Sequence, residues 1–253
     1  MGPDHILQRL KALRDARMRV LALIEAFEQG DPAIWVEALE AIITRSHVMD
    51  DPDAIEALQA ATLAAADPGL SYETRKNMYV AATERGMPAI ARLFLSASPT
   101  VVPDAQLKKA LAPERPLQPR GRPLTLGERK ALARTHRRDQ LLLLIRDPHP
   151  DVVAILLENP HVTEGEILKI ASMRTAIPDA LAKLASHPRW SVQHAVKRAL
   201  VQNPMTPLAD AIRIMTTLRT AELAAFAQDP ALPELLRRHA ADLHAASQRR
   251  PQA

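Results

Sequence analysis

The residues best suited to chemistry lie in a basic segment, residues 112–138. It carries eight Arg or Lys residues and two acidic residues, a net charge of +6, whereas the rest of the chain sums to −2. Because a guanidinium group pairs bidentately with carboxylates and phosphates, this composition predicts anion binding. The cations are Arg115, Arg120, Arg122, Arg129, Lys130, Arg134, Arg137 and Arg138.

We expect the strip from Arg120 to Arg138 to dock an acidic protein or peptide partner. The same charges fit two alternatives: contacts with nucleic-acid phosphates, or a solvated linker that keeps the chain soluble. The strip has no aromatic residue to stack on bases and no recognisable DNA-reading motif, so nucleic-acid binding would be independent of base sequence. It also lacks the bulky apolar face that would enter a membrane.

A second candidate contact surface lies on a helix predicted at residues 190–201. At about 100° per residue, Trp190, His194, Lys197 and Arg198 fall opposite the apolar stripe of this helix. An indole, an imidazole and two cations suit an anion or an aromatic ring of a partner. The alternative is that Trp190 packs in the core, which is also the expectation for Trp35 among its apolar neighbours.

Patterns for catalysis, metals or cofactors are missing from the sequence. The chain has no cysteine, which excludes disulfides, thiolate zinc sites, Cys-ligated iron–sulfur clusters and a cysteine nucleophile. Its nine histidines include no His-x-x-x-His spacing, and its seven glycines form no phosphate-binding loop. We therefore expect no metal, no cofactor and no enzymatic activity.

The elements that carry these residues are predicted to be helices without any sheet. Apolar residues recur at helical spacing, and no run of alternating β-branched residues occurs. Asp-Pro pairs, at 31–32, 51–52, 67–68, 147–148 and 229–230, predict helix starts, since Asp caps a helix and Pro suits its first turn. Thr163 and Glu166 have the spacing of a capping box.

Recurring prolines predict stacked helical repeats with a period of 40 to 44 residues. Pro148, Pro188 and Pro230 are 40 and 42 residues apart, and the Asn-Pro pairs at 159 and 203 are 44 apart. Such a period is typical of an α-solenoid, in which each repeat buries its apolar stripe against its neighbours. We predict a degenerate helical region at 1–111, a proline-rich basic linker at 112–127, and a repeat region at 128–253.

The N-terminal segment, residues 4–29, is predicted to form one long amphipathic helix. It either covers the first repeat as a cap or forms a coiled-coil dimer, so both monomer and dimer are open at this stage.

The C-terminal half carries turn motifs at Asp147-Pro148, Glu158-Asn159-Pro160, His187-Pro188-Arg189-Trp190-Ser191 and Asn203-Pro204-Met205-Thr206-Pro207. With the apolar run Leu141–Ile145, they make residues 139–246 resemble bacterial HEAT-like and leucine-rich-repeat-variant α-solenoids. The resemblance implies a binding scaffold. One HEAT-like group, the alkylpurine DNA glycosylases, holds DNA in a basic groove, but its catalytic residues do not map onto this sequence.

Composition sets the remaining expectations. Of the 253 residues, 47% are hydrophobic and 25% charged, which is typical of a soluble globular protein. No apolar run reaches the roughly 18 residues of a membrane span, and the first residues do not resemble a signal peptide. We therefore expect a cytoplasmic, non-enzymatic scaffold that binds an acidic protein or peptide. The alternatives are a sequence-independent DNA- or RNA-binding protein and, less favoured, a HEAT-like glycosylase.

Overall fold

The structure, a computed structural model, describes residues 3–95, 111–113 and 121–248. This part of the chain forms fifteen α-helices and no β-strand, which confirms the all-α class. None of the helices in this part is both long and apolar enough to cross a bilayer.

Contacts between the helices divide the chain into two compact units. Unit 1 consists of Met1–Ala97 together with Leu208–Ala253, and unit 2 consists of Ser98–Pro207. Residues 128–253, predicted from their repeats to form one region, therefore contribute to both units. The boundaries drawn from composition stay predictions, and much of the predicted linker, residues 114–120, lies outside the described residues.

Unit 1 is built from helices at both ends of the chain. The C-terminal helices α13 and α15 pack on the N-terminal helices α6 and α3, respectively, among other neighbours. The helices are α1 (Pro3–Ala12), α2 (Ala16–Gln29), α3 (Pro32–Val48), α4 (Pro52–Ala66), α5 (Tyr72–Glu84), α6 (Pro88–Leu93), α13 (Leu208–Thr216), α14 (Thr220–Gln228) and α15 (Glu234–Gln248).

The N-terminal segment is two helices rather than one. The Asp15 carboxylate accepts a hydrogen bond from the backbone N–H of Met18 at 2.9 Å and so caps the start of α2. Arg19 Nε donates to the carbonyl of Leu13 at 2.7 Å, which holds the connecting turn. The prediction of one continuous helix over 4–29 is wrong, because Asp15 caps a new helix although the apolar periodicity continues past it.

Aromatic side chains form the centre of unit 1. Trp35 is 7% exposed, and its ring meets Phe27 edge to face at a centroid distance of 5.1 Å. Phe27 also meets Phe94 at 5.9 Å. The expectation that Trp35 lies in the core is confirmed.

The Asp-Pro pairs fall into two structural classes. Asp31 and Asp51 cap helices that begin at the following proline, as predicted. Asp67, Asp147 and Asp229 instead close turns after a helix, because each carboxylate accepts the backbone N–H two residues later at 2.8 to 2.9 Å. The same side chain serves either as a cap or as an Asx turn, and dipeptide identity does not distinguish the two.

Unit 2 contains six described helices that form two consecutive triplets. In the first triplet, α7 packs on α9, and in the second, α10 packs on α12; α9 also packs on α11 of the second triplet. The helices are α7 (Leu126–Ala133), α8 (Arg138–Leu144), α9 (Pro150–Glu158), α10 (Glu164–Ala171), α11 (Pro178–Ala185) and α12 (His194–Gln202).

Each triplet begins with the same capping arrangement. Glu128 Oε2 accepts hydrogen bonds from the backbone N–H and the hydroxyl of Thr125, both at 2.9 Å. Glu166 Oε2 does the same for Thr163, at 2.8 and 3.0 Å, which confirms the predicted capping box. The first helices of the two triplets therefore start in the same way, 38 residues apart.

Candidate functional site

Four described cations of the predicted basic strip form ion pairs within unit 2. Arg129 is buried, and its guanidinium contacts both carboxylate oxygens of Asp147 at 2.6 Å. Lys130 Nζ lies 2.6 Å from Asp151 Oδ2. These two cations stabilise the packing of α7 against α9 and its preceding turn. The buried Arg129 is therefore not available as a surface contact for a partner.

Arg122 forms the third ion pair of the strip. Its guanidinium donates to both oxygens of Glu128, at 2.6 and 2.9 Å. This pair, together with the N–H and hydroxyl of Thr125, holds the pKa of Glu128 at about 2. The carboxylate stays ionised well into the acidic range, so Arg122 reinforces the capping box of α7.

The other described cations of the strip lie together on the surface. Arg134, Arg137 and Arg138 are exposed in and beside the turn between α7 and α8. Arg138 also lies 3.0 Å from Glu166 Oε1, with 61% of its side chain exposed. Arg120 lies outside the described residues. We call these three neighbouring arginines the arginine turn; Arg122 is exposed too but lies apart from them, in its pair with Glu128.

The predicted surface around Trp190 is not brought together on one helix face. Helix α12 begins at His194, and Trp190 precedes it in a turn, 2% exposed. Its indole N–H donates to the carbonyl of Leu157 at 2.7 Å. The Trp190 side chain is therefore a core residue, as in the alternative reading of the sequence. Lys197 is also buried, which leaves His194 and Arg198 as the exposed members of this set.

The turn around Trp190 explains why the helix starts late. His187 Nδ1 accepts the backbone N–H of Arg189 at 3.3 Å, and its Nε2 lies 3.2 Å from Glu158 Oε1. Burial lowers the pKa of His187. The Arg189 guanidinium stacks over the Trp190 ring, 4.1 Å from its centroid. The histidine thus takes the Asx-turn role that aspartate has elsewhere, and Arg189 covers the outer face of the indole.

A surface cleft of about 390 Å³ lies between α10 and α12. Its volume is near the lower end of ligand pockets, roughly 300–1,000 Å³. Its walls combine small or aliphatic side chains with two exposed arginines, Arg174 and Arg198. The lining residues are Leu168, Ser172, Arg174, Ala195, Arg198, Ala199, Gln202 and Asn203.

Sequence reasoning identified Arg198 as a candidate contact but missed Arg174. Arg174 is a single cation in the loop after α10, with no local motif around it. Only the packing of α10 against α12 brings it to the same cleft as Arg198. Aligning the two triplets is the one signal that could have directed attention to this loop.

The described residues contain grouped arginines but no cluster of metal ligands. No three His, Asp or Glu side chains between residues 3 and 248, outside the gaps at 96–110 and 114–120, are placed to hold a metal ion. The arginine turn and the cleft can both bind carboxylates or phosphates. Comparison with known proteins adds no assignment, since no family model, curated protein or solved structure matches the chain.

Proposed function

We propose that the protein is a non-enzymatic interaction scaffold, a HEAT-like α-solenoid whose unit 2 binds an acidic segment of a protein partner. The observation that carries the proposal is the distribution of charge. Residues 98–207 contain 17 Lys or Arg and 10 Asp or Glu, a net charge of +7, whereas the other residues sum to −3. A basic unit in a chain whose other residues are net acidic attracts an acidic partner selectively and accelerates its association.

The repeated geometry of unit 2 supports the solenoid part of the proposal. The two triplets share a capping box on the first helix and an asparagine turn after the third. Repeats of this kind stack neighbours along one direction and present extended surfaces to partners. The resemblance of residues 139–246 to HEAT-like proteins points the same way.

Aromatic content favours a protein partner over nucleic acid. Trp190 is the sole Phe, Tyr or Trp in residues 98–207, and it is buried. Proteins that bind single strands usually stack bases on exposed aromatic rings. DNA or RNA binding, the second candidate function, would therefore depend on phosphate contacts from arginines rather than on base stacking, with a steep dependence on salt.

Fluorescence anisotropy with two probes tests the proposal. One probe is a fluorescein-labelled peptide that alternates Glu with Ala, compared with its Gln–Ala counterpart; the other is a labelled DNA duplex. We expect the Glu peptide to bind more tightly than the Gln peptide, and R134Q/R137Q to weaken that binding. The double variant R9Q/R14Q, which removes two exposed cations from unit 1, serves as the matched control.

Two outcomes would contradict the proposal. If the duplex binds and the Glu peptide does not, the second candidate function replaces the first. If neither probe binds at low salt, the charge of unit 2 does not serve recognition of polyanions. A duplex that carries an alkylated purine tests the glycosylase alternative, because such an enzyme would release the modified base.

A further inference from the structure

Among the matched positions at which the two triplets of unit 2 differ, one pair carries an ion pair in the first triplet only. Lys130 is the fifth residue of α7 and Asp151 the second residue of α9, and their side chains form an ion pair at 2.6 Å. The same positions in the second triplet, the fifth of α10 and the second of α12, are Leu168 and Ala195. The ion pair that links α7 to α9 is thus replaced by two apolar side chains.

The two replacing side chains face the cleft between α10 and α12. Leu168 and Ala195 both line it. A third matched pair acts in the same direction, since the sixth residue of α9 is Ile155 and that of α12 is the smaller Ala199. The cap position after the first helix changes likewise, from Arg134 to Ser172. The second triplet therefore lacks both the charges and the volume that occupy this place in the first.

Two arginines at the rim of the cleft have no cationic arginine or lysine at the matched positions of the first triplet. Arg174 follows α10 at the position that His136 has after α7, and Arg198 replaces Ala154 at the fifth position of the third helix. The cleft is thus lined by aliphatic side chains and two guanidinium groups, together with the polar Ser172, Gln202 and Asn203. An anion with a short aliphatic stem complements such a surface.

We propose that the cleft between α10 and α12 binds a Glu or Asp side chain from an acidic peptide segment of the partner. The carboxylate pairs with Arg174 and Arg198, and its methylene groups pack on Leu168, Ala195 and Ala199. The inference rests on the proposed function, for which it names the site and the recognised group.

Transplanting the ion pair of the first triplet into the second tests this site. The variant L168K/A195D should close the cleft while leaving the net charge unchanged. We expect it to weaken binding of the Glu–Ala peptide by at least about tenfold, a loss that nonspecific attraction to a basic surface would not give. The control L142D/L143K introduces the same two residue types at exposed positions of α8, outside the cleft, and should bind as the wild type does.

A single substitution keeps the inference testable if the double variant does not fold, as judged by circular dichroism. R174Q removes one rim cation at an exposed loop position, and we expect it to weaken the Glu–Ala peptide but not the Gln–Ala peptide. If the wild type prefers the Glu peptide and both cleft variants bind it unchanged, the cleft is not the binding site, while the proposed function stands. If the wild type shows no preference for Glu over Gln, the proposed function itself fails.

Discussion

Asn159 and Asn203 make the same three hydrogen bonds from positions 44 residues apart. The Asn159 amide donates to the carbonyls of Ala133 and Thr135 at 2.8 and 2.9 Å, and its oxygen accepts the backbone N–H two residues later. Asn203 donates to Ala171 and Met173 at 2.7 and 3.0 Å and accepts in the same way. Each asparagine ties the end of a third helix to the end of the first helix of its triplet.

Removing one of these asparagines should destabilise unit 2. N203A leaves two carbonyls and one N–H without their partner in a buried site, which costs about 2–4 kcal/mol. N203D keeps the acceptor but replaces both donated hydrogen bonds by contacts between a carboxylate and two carbonyls, so we expect it to be at least as destabilising. Urea unfolding followed by circular dichroism measures both, with the exposed Gln202 replaced by Ala as the control. A neutral N203D would show that the donated bonds contribute nothing.

The buried ion pair of Arg129 and Asp147 gives a second stability prediction. R129L leaves the Asp147 carboxylate, 4% exposed, without its cation, and we expect a loss of about 3–5 kcal/mol. The double variant R129L/D147L should recover part of this loss, because no buried charge is then left unpaired. The free energy of unfolding of the four proteins in this cycle measures the coupling.

An R129L variant as stable as the wild type would contradict the prediction that the buried ion pair of Arg129 and Asp147 stabilises unit 2. The exposed pair of Arg122 and Glu128 provides the comparison, since R122L should cost much less than R129L. The same experiment separates structural cations of the basic strip from those that can bind a partner.

The sequence predicted the all-α class well, because helix formation depends on local patterns. Helical periodicity and the Thr163–Glu166 capping box both reflect contacts within about one turn. The burial of Trp35 was also predictable from its apolar neighbours. These features need no knowledge of which helices meet.

The candidate site was only partly predictable, because partners distant in sequence decide which charges are exposed. Arg129 and Arg137 are both arginines of one basic run, yet Asp147 buries the first while the second is exposed. Trp190 lies in a turn because His187 accepts the N–H of Arg189, so the helix starts four residues later than periodicity predicts. Arg174 becomes a site residue only through the packing of α10 on α12.

Gly30 lies against Trp35, so adding one methyl group at this position should destabilise unit 1. A Cβ at Gly30 would lie 2.2 Å from Trp35 Nε1 and 2.7 Å from the carbonyl oxygen of Ala26. G30A should therefore displace the indole from its contact with Phe27, at a cost of about 1–3 kcal/mol. A change in tryptophan fluorescence should accompany the lower melting temperature.

Gly127 supplies the matched control for this substitution. It lies in the first turn of α7, and a Cβ there meets no heavy atom within 4 Å. G127A should leave stability unchanged or raise it by up to about 1 kcal/mol, because alanine favours the helix. Equal effects of G30A and G127A would mean that Trp35 is not held where its contacts place it.

The buried His239 should make the stability of unit 1 depend on pH. Its side chain is fully buried, and Nε2 lies 2.8 Å from the hydroxyl oxygen of Thr216, which itself donates to the carbonyl of Ile212. The imidazole therefore donates through Nε2, and Nδ1 has no hydrogen-bond partner among the described residues. Burial, with a smaller contribution from the Arg92 cation, lowers the pKa of His239 from its ordinary 6.5 to about 3.

Between about pH 6.5 and pH 3, His239 is therefore protonated in the unfolded chain and neutral in the folded chain. Stability is highest above this window and falls as the pH falls through it, by up to about 1.4 kcal/mol per pH unit from this group. His47, whose pKa burial also lowers, adds to the same trend. The variant H239Q keeps an amide donor for Thr216 and should lose less stability between pH 7 and pH 5 than the wild type. The control replaces the exposed His5 by Gln and should follow the wild-type profile. Urea unfolding at several pH values measures the slopes, and identical slopes for H239Q and the wild type would mean that His239 titrates alike in the folded and unfolded chain.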